Sequence, residues 1–147
     1  MYSSEIKPAV NQVELHPYFA QKKLVRYCQE NNVQITSYST LGGASYVELG
    51  MSDKDDSIID NPVVKELAAK HGKTSPQIIF RWATQQNIAV IPKTSKAERL
   101  KENMGLFDWK LSEEDMEKMA KLDINKRYND TALFVKLAFG EPLFLFD

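Results

Sequence analysis

Hydrophobic residues recur along the chain with two different periods. Residues 8–15 (PAVNQVEL) and 33–38 (VQITSY) alternate in side-chain polarity as strands do, and residues 21–32 between them follow a helical period. A short apolar run at residues 88–91 (IAVI) predicts a third, buried strand. The alternation of strands and helices predicts parallel βαβ units with right-handed crossovers.

Capping signals predict two helices between the second and third strands. Asn61 before a proline predicts the start of a helix that ends near Gly72. Thr74 or Ser75 before another proline predicts the start of the next helix. Apolar residues at helical spacing in both segments indicate that each helix packs one face against a core.

Two more helices are predicted after the third strand. Ser95 and Glu98 form the Ser-x-x-Glu pattern of a capping box, and Leu100 and Met104 are expected to help bury the helix that follows. Ser112 is expected to begin the last helix, whose acidic first turn suits the positive end of the helix dipole.

This pattern predicts an α/β fold with a parallel sheet that is covered on both faces. Three parallel strands alone leave long unpaired edges, however, and a closed barrel needs about eight strands and roughly 250 residues. The chain has 147 residues. Either something else covers the sheet edges or part of the fold lies outside this chain.

Composition excludes several classes of function. Nineteen Lys and Arg against twenty Asp and Glu give a net charge of -1, so no bulk attraction to nucleic acid or to an anionic membrane is expected. The lone Cys28 excludes an internal disulfide and fits a reducing compartment. No signal-like or membrane-spanning apolar run is present, so we expect a cytoplasmic protein.

The two histidines do not indicate a metal site. They are too few for a histidine cluster, and no cysteines lie at zinc spacing. His16 lies at a strand-to-loop corner before Pro17, where a hydrogen-bonded structural histidine is the simpler interpretation than an acid or base. His71 suits the carboxyl end of a helix.

The strongest local chemical signal follows the third strand, in residues 91–99 (IPKTSKAER). Free backbone N–H groups at a helix start, two hydroxyls and three cationic side chains are found there together, and such a set can hold a phosphate monoester. The alternative is a capped helix with solvated cations, and spacing alone does not separate the two.

A second signal lies where the second strand ends, at Tyr38 and the loop Ser39-Thr40-Leu41-Gly42-Gly43. The carboxyl ends of parallel strands are where α/β folds place ligands, and an aromatic face there can stack on a planar heterocycle. The alternative is a tyrosine that only packs on its neighbours while the glycines turn the chain.

Long blocks of the sequence carry a family resemblance. VNQVELHPYFAQKKLVRYCQENN, ITSYSTLGG, KTSPQIIFRWATQQNIAVIPKTSKAERLKEN and FDWKLSEEDMEKMAKLD closely resemble the carboxyl-terminal half of aldo-keto reductases of the aldose-reductase type, over about residues 6–128. That family is a (β/α)₈ barrel that binds NADP(H). The resemblance therefore implies that residues 1–147 are one partial domain, holding about three of the barrel's strands.

The resemblance also implies a role for each local signal. Gln12 would bind the nicotinamide carboxamide, Tyr38 would stack on the nicotinamide ring, and Ser39 and Leu41 would contact the pyrophosphate. The residues implied to hold the 2′-phosphate and adenine are Lys93, Thr94, Ser95 and Arg99, with Glu102 and Asn103 at the adenine edge. Two cations facing a 2′-phosphate favour NADP(H) over NAD(H). Thr40 and Thr94 depart from the proline and serine that many members have.

The family's catalytic tetrad has no counterpart in this chain. Its aspartate, tyrosine, lysine and histidine come from the amino-terminal half of the barrel, and neither His16 nor Tyr18 occupies a matching position. We therefore name no catalytic residue and expect this chain alone to be inactive. The complete enzyme would reduce an aldehyde or ketone, often a sugar aldehyde, with the missing half or a second chain covering the sheet edges.

The tail at residues 124–147 resembles, by position, the family's variable substrate-pocket loop. Its apolar residues fit simple packing equally well; they include Leu133, Phe134, Phe139, Phe144 and Phe146. The alternative to a reductase half is a non-catalytic half barrel, a binding or interaction protein that another chain completes.

Overall fold

The computed structural model describes residues 5–47, 50–53, 56–130, 132, 135 and 140. These residues form an α/β fold, as predicted. The elements in chain order are β1 (Val10–Glu14), α1 (Lys22–Glu30), β2 (Gln34–Tyr38), α2 (Pro62–His71), α3 (Ser75–Thr84), β3 (Ala89–Val90), α4 (Ala97–Met104) and α5 (Glu113–Ala120). Two short 3₁₀ turns, Gly43–Tyr46 and Ile58–Asp60, lie in the connection between β2 and α2.

The three strands form one parallel sheet in the order β1-β2-β3. Glu14 at the end of β1 lies opposite Tyr38 at the end of β2, and Ser37 lies opposite Val90 at the end of β3. All three strands therefore end at the same edge of the sheet, which is the edge where both chemical signals were expected.

The two faces of the sheet differ sharply in exposure. Leu15, Ile35 and Ser37 point towards the helices and are buried. On the other face Gln12 and Gln34 are exposed, and we call this the bare face. The prediction that both faces are covered is therefore only partly met by the described residues: Tyr128 and Asn129 cover Glu14 at the carboxyl end of the bare face, and Gln12 and Gln34 stay exposed.

The core lies between the sheet and helices α2 and α3. Val64 and Leu67 of α2 and Ile78 and Ile79 of α3 are fully buried. Each such side chain contributes about 1.5–3 kcal/mol by leaving water. Cys28 on α1 is also buried, as a free thiol. None of the described helices is both long enough and apolar enough to cross a membrane.

Three of the predicted helix starts are confirmed. Asn61 Oδ1 accepts a hydrogen bond from the Val63 amide at 2.9 Å and caps α2. Thr74, rather than Ser75, caps α3 through a capping box with Gln77. Ser112 begins α5, where Asp115 completes a second capping box.

The prediction for α4 is wrong in two respects. The helix begins after Lys96 rather than Ser95 and has no side-chain cap, because the chain is still extended at Lys96. Leu100 and Met104 are 58% and 69% exposed, since α4 packs on α3 while its outer side has no neighbour among the described residues. Gln77 of α3 fixes its carboxyl end by donating to the Glu102 carbonyl oxygen at 3.0 Å.

Candidate functional site

The candidate site lies at the carboxyl edge of the sheet. Gln12 on β1 is exposed and is paired in register with Thr36 of β2. Because side chains alternate along a strand, Gln12, Thr36 and Tyr38 all lie on the bare face. An amide and an aromatic ring are thus presented on one surface, as the predicted nicotinamide site requires.

Tyr38 is held at its hydroxyl end. The ring is half-buried, and its hydroxyl oxygen accepts a hydrogen bond from Asn129 Nδ2 at 3.4 Å. Burial raises the pKa of Tyr38, and the negative charge of Glu14 raises it further. The phenol is therefore neutral at physiological pH.

Glu14, next to Tyr38 in the sheet, is a buried carboxylate. It is 1% exposed, and its oxygens accept hydrogen bonds from His16 Nε2 at 3.1 Å, from the Tyr128 amide at 2.7 Å and from the Asn129 amide at 3.0 Å. Burial, the largest influence, raises the pKa of Glu14, but these hydrogen bonds outweigh it and the net pKa is lowered. Glu14 therefore stays ionised inside the protein.

His16 is structural, in line with the simpler interpretation of the sequence. It is 0% exposed, and a carboxylate can only accept, so its Nε2 must carry the hydrogen that faces Glu14. Its ring centroid lies 5.0 Å from that of Tyr128. No described residue bonds to its Nδ1.

The loop after Tyr38 is fixed by its two glycines. Gly42 has φ 78, and a Cβ there would lie 2.9 Å from Ile58 Cγ1. A Cβ on Gly43 would lie 2.6 Å from Tyr128 Cε1. Both glycines are therefore required by close packing, beyond simply turning the chain.

The other loop residues are tied into the protein. The Ser39 and Tyr46 hydroxyls lie 2.6 Å apart, within hydrogen-bond distance, and Leu41 packs against the core. Thr40 is buried, and its hydroxyl lies 2.6 Å from that of Ser37. Threonine is thus accommodated where the family often has proline.

The phosphate candidates lie on residues 91–104, which we call the β3–α4 segment. Lys93, Ser95 and Arg99 are exposed and Thr94 is half-buried. Thr94 Oγ1 accepts a hydrogen bond from the Lys96 amide at 3.1 Å. Half-buried Glu102 and Asn103 follow one helical turn later.

The cations of the β3–α4 segment have no opposing carboxylate. Lys93, Lys96 and Arg99 form no ion pair with any residue that the structure describes. Their positive charge is therefore available to an anion at the edge where Tyr38 also lies. Within the described ranges, no group of three or more His, Cys, Asp or Glu side chains could hold a metal ion.

Two residues of this site were missed in the sequence. Glu14 lies close to His16 and Tyr18 in the sequence, which suggests an acid-base set, but the structural interpretation of His16 is the simpler one, and Glu14 is therefore not predicted as a site residue. Asn129 lies in the tail, where no periodicity marks it. The apolar tail residues named above, Leu133 to Phe146, lie outside the described residues.

A model of the Aldo/keto reductase family matches residues 1–124. The chain belongs to this family. It is 39% identical over 147 residues to the NAD(P)H-dependent pentose reductase of Pyricularia oryzae, and the match covers 99% of the chain and 43% of the relative. It is 45% identical over 127 residues to the NAD(P)H-dependent D-xylose reductase I,II of Candida tropicalis, covering 85% and 39%.

A relative with a different printed activity is equally similar. The 4-dihydromethyl-trisporate dehydrogenase of Mucor mucedo is 43% identical over 142 residues, or 96% of the chain and 43% of the relative. The chain thus spans about 40% of the length of these aldo/keto reductase relatives. This coverage agrees with the predicted partial barrel.

Proposed function

We propose that this chain is the NADP(H)-binding, carboxyl-terminal part of an aldo/keto reductase. The complete enzyme reduces an aldehyde or ketone, of the sugar-aldehyde class, to the alcohol. One observation carries the proposal: cations that have no ion-pair partner among the described residues follow β3 at the same carboxyl end of the sheet as half-buried Tyr38. The printed names of the pentose and D-xylose reductases support the cofactor and the substrate class.

The residues present fit the two ends of this cofactor. Lys93 and Arg99 would hold the 2′-phosphate through charge-assisted hydrogen bonds, helped by the hydroxyls of Thr94 and Ser95. The adenine edge would meet Glu102 and Asn103. NAD(H), which lacks the 2′-phosphate, would leave both cations without a partner.

The other end of the cofactor would lie over β1 and β2. Gln12 would orient the carboxamide and Tyr38 would support one face of the nicotinamide, leaving the opposite face open to a carbonyl. Ser39 and Leu41 would lie along the pyrophosphate; the Ser39 hydroxyl can accept from one partner and donate to another, so its bond to Tyr46 leaves capacity. When bound, NADPH supplies the hydride.

This chain positions the cofactor but holds no residue to which we assign proton transfer. The tetrad of the family would come from the missing amino-terminal part, so this chain alone would not reduce carbonyls. Residues 1–147 would then be one partial domain, with the tail from 124 bordering the substrate pocket. The contact of Asn129 with Tyr38 supports that position for the tail.

The phosphate assignment can be tested on the chain itself with adenosine 2′,5′-bisphosphate as the probe. Lys93→Ala and Arg99→Ala should each weaken its binding about tenfold, because each removes a charge-assisted hydrogen bond. Binding of 5′-AMP, which lacks the 2′-phosphate, should change little. Isothermal titration calorimetry measures both ligands.

Lys101→Ala is the matched control, since it removes one positive charge from α4, the helix that carries Arg99, without touching a proposed contact. Equal losses for the three variants would reduce the effect to general electrostatics. Equal losses for the two ligands would remove the 2′-phosphate assignment.

The alternative is a non-catalytic half barrel that binds another chain. The bare face and the exposed apolar residues at both sheet edges favour a covering partner in either case; they include Ile6, Val10, Ile91, Met104 and Phe107. Immunoprecipitation from the source and intact mass spectrometry separate the two. A product more than twice this length supports a complete reductase, and one of 16.8 kDa supports the half barrel.

The cytoplasm is the location we propose for this protein. The buried, free Cys28 thiol fits a reducing compartment. Fluorescence microscopy of the tagged, full-length gene product tests this location, and a signal confined to an organelle or to the medium would contradict it.

A further inference from the structure

We propose that Glu14 is a positioning residue for the Tyr38 platform. In this view, its carboxylate holds the backbone of Tyr128 and Asn129, which we call the tail anchor, and the tail anchor in turn holds Tyr38 and the loop after it. The consequence for nicotinamide binding rests on the proposed function. The anchoring itself does not.

The carboxylate of Glu14 is matched to its surroundings as an acceptor. Three donors point at its two oxygens: His16 Nε2 and the two backbone amides of the tail anchor, at 2.7 to 3.1 Å. Tyr128 and Asn129 lie 114 and 115 residues further along the chain. Hydrogen bonds to a charged acceptor are roughly twice as strong as neutral ones, so this is a strong long-range tie between β1 and the tail.

No neutral side chain of the same shape can replace that carboxylate. The amide group of a glutamine would present two N–H donors where one oxygen now accepts, and so at least one tail-anchor amide or His16 Nε2 would face a donor. His16 and Tyr128 are buried and Asn129 is half-buried, and an unpaired buried donor costs about 1–3 kcal/mol. Replacing one carboxylate oxygen with an amide nitrogen is therefore enough to weaken the tie between β1 and the tail.

The tail anchor reaches the candidate site by two routes. Asn129 Nδ2 donates to the Tyr38 hydroxyl at 3.4 Å, which fixes the outer end of the ring. The Tyr128 ring stacks on Tyr46, with centroids 6.3 Å apart and planes 10° apart, and the Tyr46 hydroxyl lies 2.6 Å from that of Ser39. Movement of the tail anchor would thus loosen both the platform and the following loop.

The test compares wild type with Glu14→Gln in the chain as it exists. Amide hydrogen exchange of Tyr128 and Asn129 reads the anchor directly, and aromatic ¹³C NMR reads the Tyr38 ring without any ligand. We expect exchange at both amides to rise at least about tenfold, and the Tyr38 resonances to shift or broaden, because the charged hydrogen bonds are lost.

Two ligands then read the consequence for the site. Glu14→Gln should weaken NADPH binding about tenfold, while adenosine 2′,5′-bisphosphate, which lacks the nicotinamide, should bind as in wild type. A general loss of structure would weaken both ligands alike. This split is the result that a merely structural role would not produce.

Asp115→Asn is the matched control. Asp115 is also a fully buried carboxylate that bonds to a histidine and to a backbone amide, but its partners lie on α2 (Lys70 and His71) and at the N-cap of α5 (Ser112). It should destabilise the protein without changing the Tyr38 resonances or the ratio of the two affinities. If Glu14→Gln does not fold, Asn129→Ala is the second variant. It removes only the hydrogen bond from Asn129 to the Tyr38 hydroxyl and should still shift or broaden the Tyr38 resonances.

Each outcome decides between the proposals. Unchanged exchange at the tail-anchor amides, or an unchanged Tyr38 ring in both variants, overturns the positioning role of Glu14. If wild-type protein binds neither ligand, the proposed NADP(H) function fails, while the exchange and ring measurements still decide whether Glu14 positions Tyr38.

Discussion

The two parts of the candidate site are built in opposite ways. At the ends of β1 and β2, Glu14 and His16 are buried and hydrogen-bonded to each other, and the buried Thr40 hydroxyl bonds to that of Ser37. On the β3–α4 segment, Lys93 and Arg99 are exposed and have no ion-pair partner among the described residues. The buried polar groups of the first part are bonded within the protein, whereas the cations of the second part are open to a ligand.

This difference separates stability from binding. Removing a buried, bonded group leaves its partners unsatisfied and destabilises the fold. Removing an exposed, unpaired cation costs the fold almost nothing but takes away a contact for an anion. Substitutions in the two parts should therefore fall into two distinct classes.

The largest effect is expected for Glu14→Ala. It leaves His16 and two backbone amides without their acceptor in a buried place, and we expect the free energy of unfolding to fall by about 4 kcal/mol. Urea unfolding followed by circular dichroism measures it. A loss below about 1 kcal/mol would mean that water replaces the carboxylate, and the contrast with the β3–α4 segment would disappear.

The next largest effect is expected for Gly42→Ala. The new Cβ would need a left-handed backbone at φ 78 and would press on Ile58, so we expect a loss of about 3 kcal/mol. Gly72→Ala is the control, because Gly72 has φ 61 but open space around its Cβ position. The control should lose about 1 kcal/mol by thermal unfolding, and equal losses would show that packing on Ile58 contributes nothing.

A smaller effect is expected on the pH dependence of stability. Burial raises the pKa of Asp115, but hydrogen bonds from Lys70, His71 and Ser112 outweigh it and hold this pKa well below its usual range; the pKa of Glu14 is also lowered. A lowered folded-state pKa gives stability that is present above the unfolded value and lost as pH falls towards the folded value.

The free energy of unfolding should therefore fall below about pH 4, where carboxylates of the unfolded chain bind protons while those of the folded protein stay ionised. Asp115→Asn should flatten this acid limb in unfolding curves measured from pH 6 to pH 3. The stability of Lys93→Ala should depend on pH in the same way as that of wild type. An acid limb of the same slope in Asp115→Asn would remove Asp115 as its source.

The smallest effect on stability is expected for Lys93→Ala and Arg99→Ala. Each should change the free energy of unfolding by no more than about 0.5 kcal/mol, because both side chains are solvated. Differential scanning calorimetry checks this without a ligand. A loss of more than about 1 kcal/mol would place these cations with the buried part of the site and break the comparison.

Local signals in the sequence predicted local structure well. Asn61, Thr74 and Ser112 cap helices as expected, because a cap is decided by residues two or three positions away. Ser95 failed as a cap because Pro92 and an extended Lys96 delay the helix until Ala97. A capping pattern says that a helix starts nearby, and the backbone before it decides at which residue.

Long-range features could not be predicted in the same way. The tie between Glu14 and Asn129 joins residues 115 positions apart and leaves no periodic trace. The third strand was expected over residues 88–91, but only Ala89–Val90 pairs with β2. The roles of Gln12 and Lys93 depended on the family resemblance, because the family's ligand is known and residue spacing alone does not identify a ligand.

The open sheet also determines how many strands a partner would have to add to complete this fold. A second copy that continued the sheet with all strands parallel would have to join head to tail, β3 against β1. Two copies would bring six described strands where a closed ring takes about eight, leaving a gap and an edge still open to growth. A partner with roughly five parallel strands would supply the number that a closed ring of about eight strands needs.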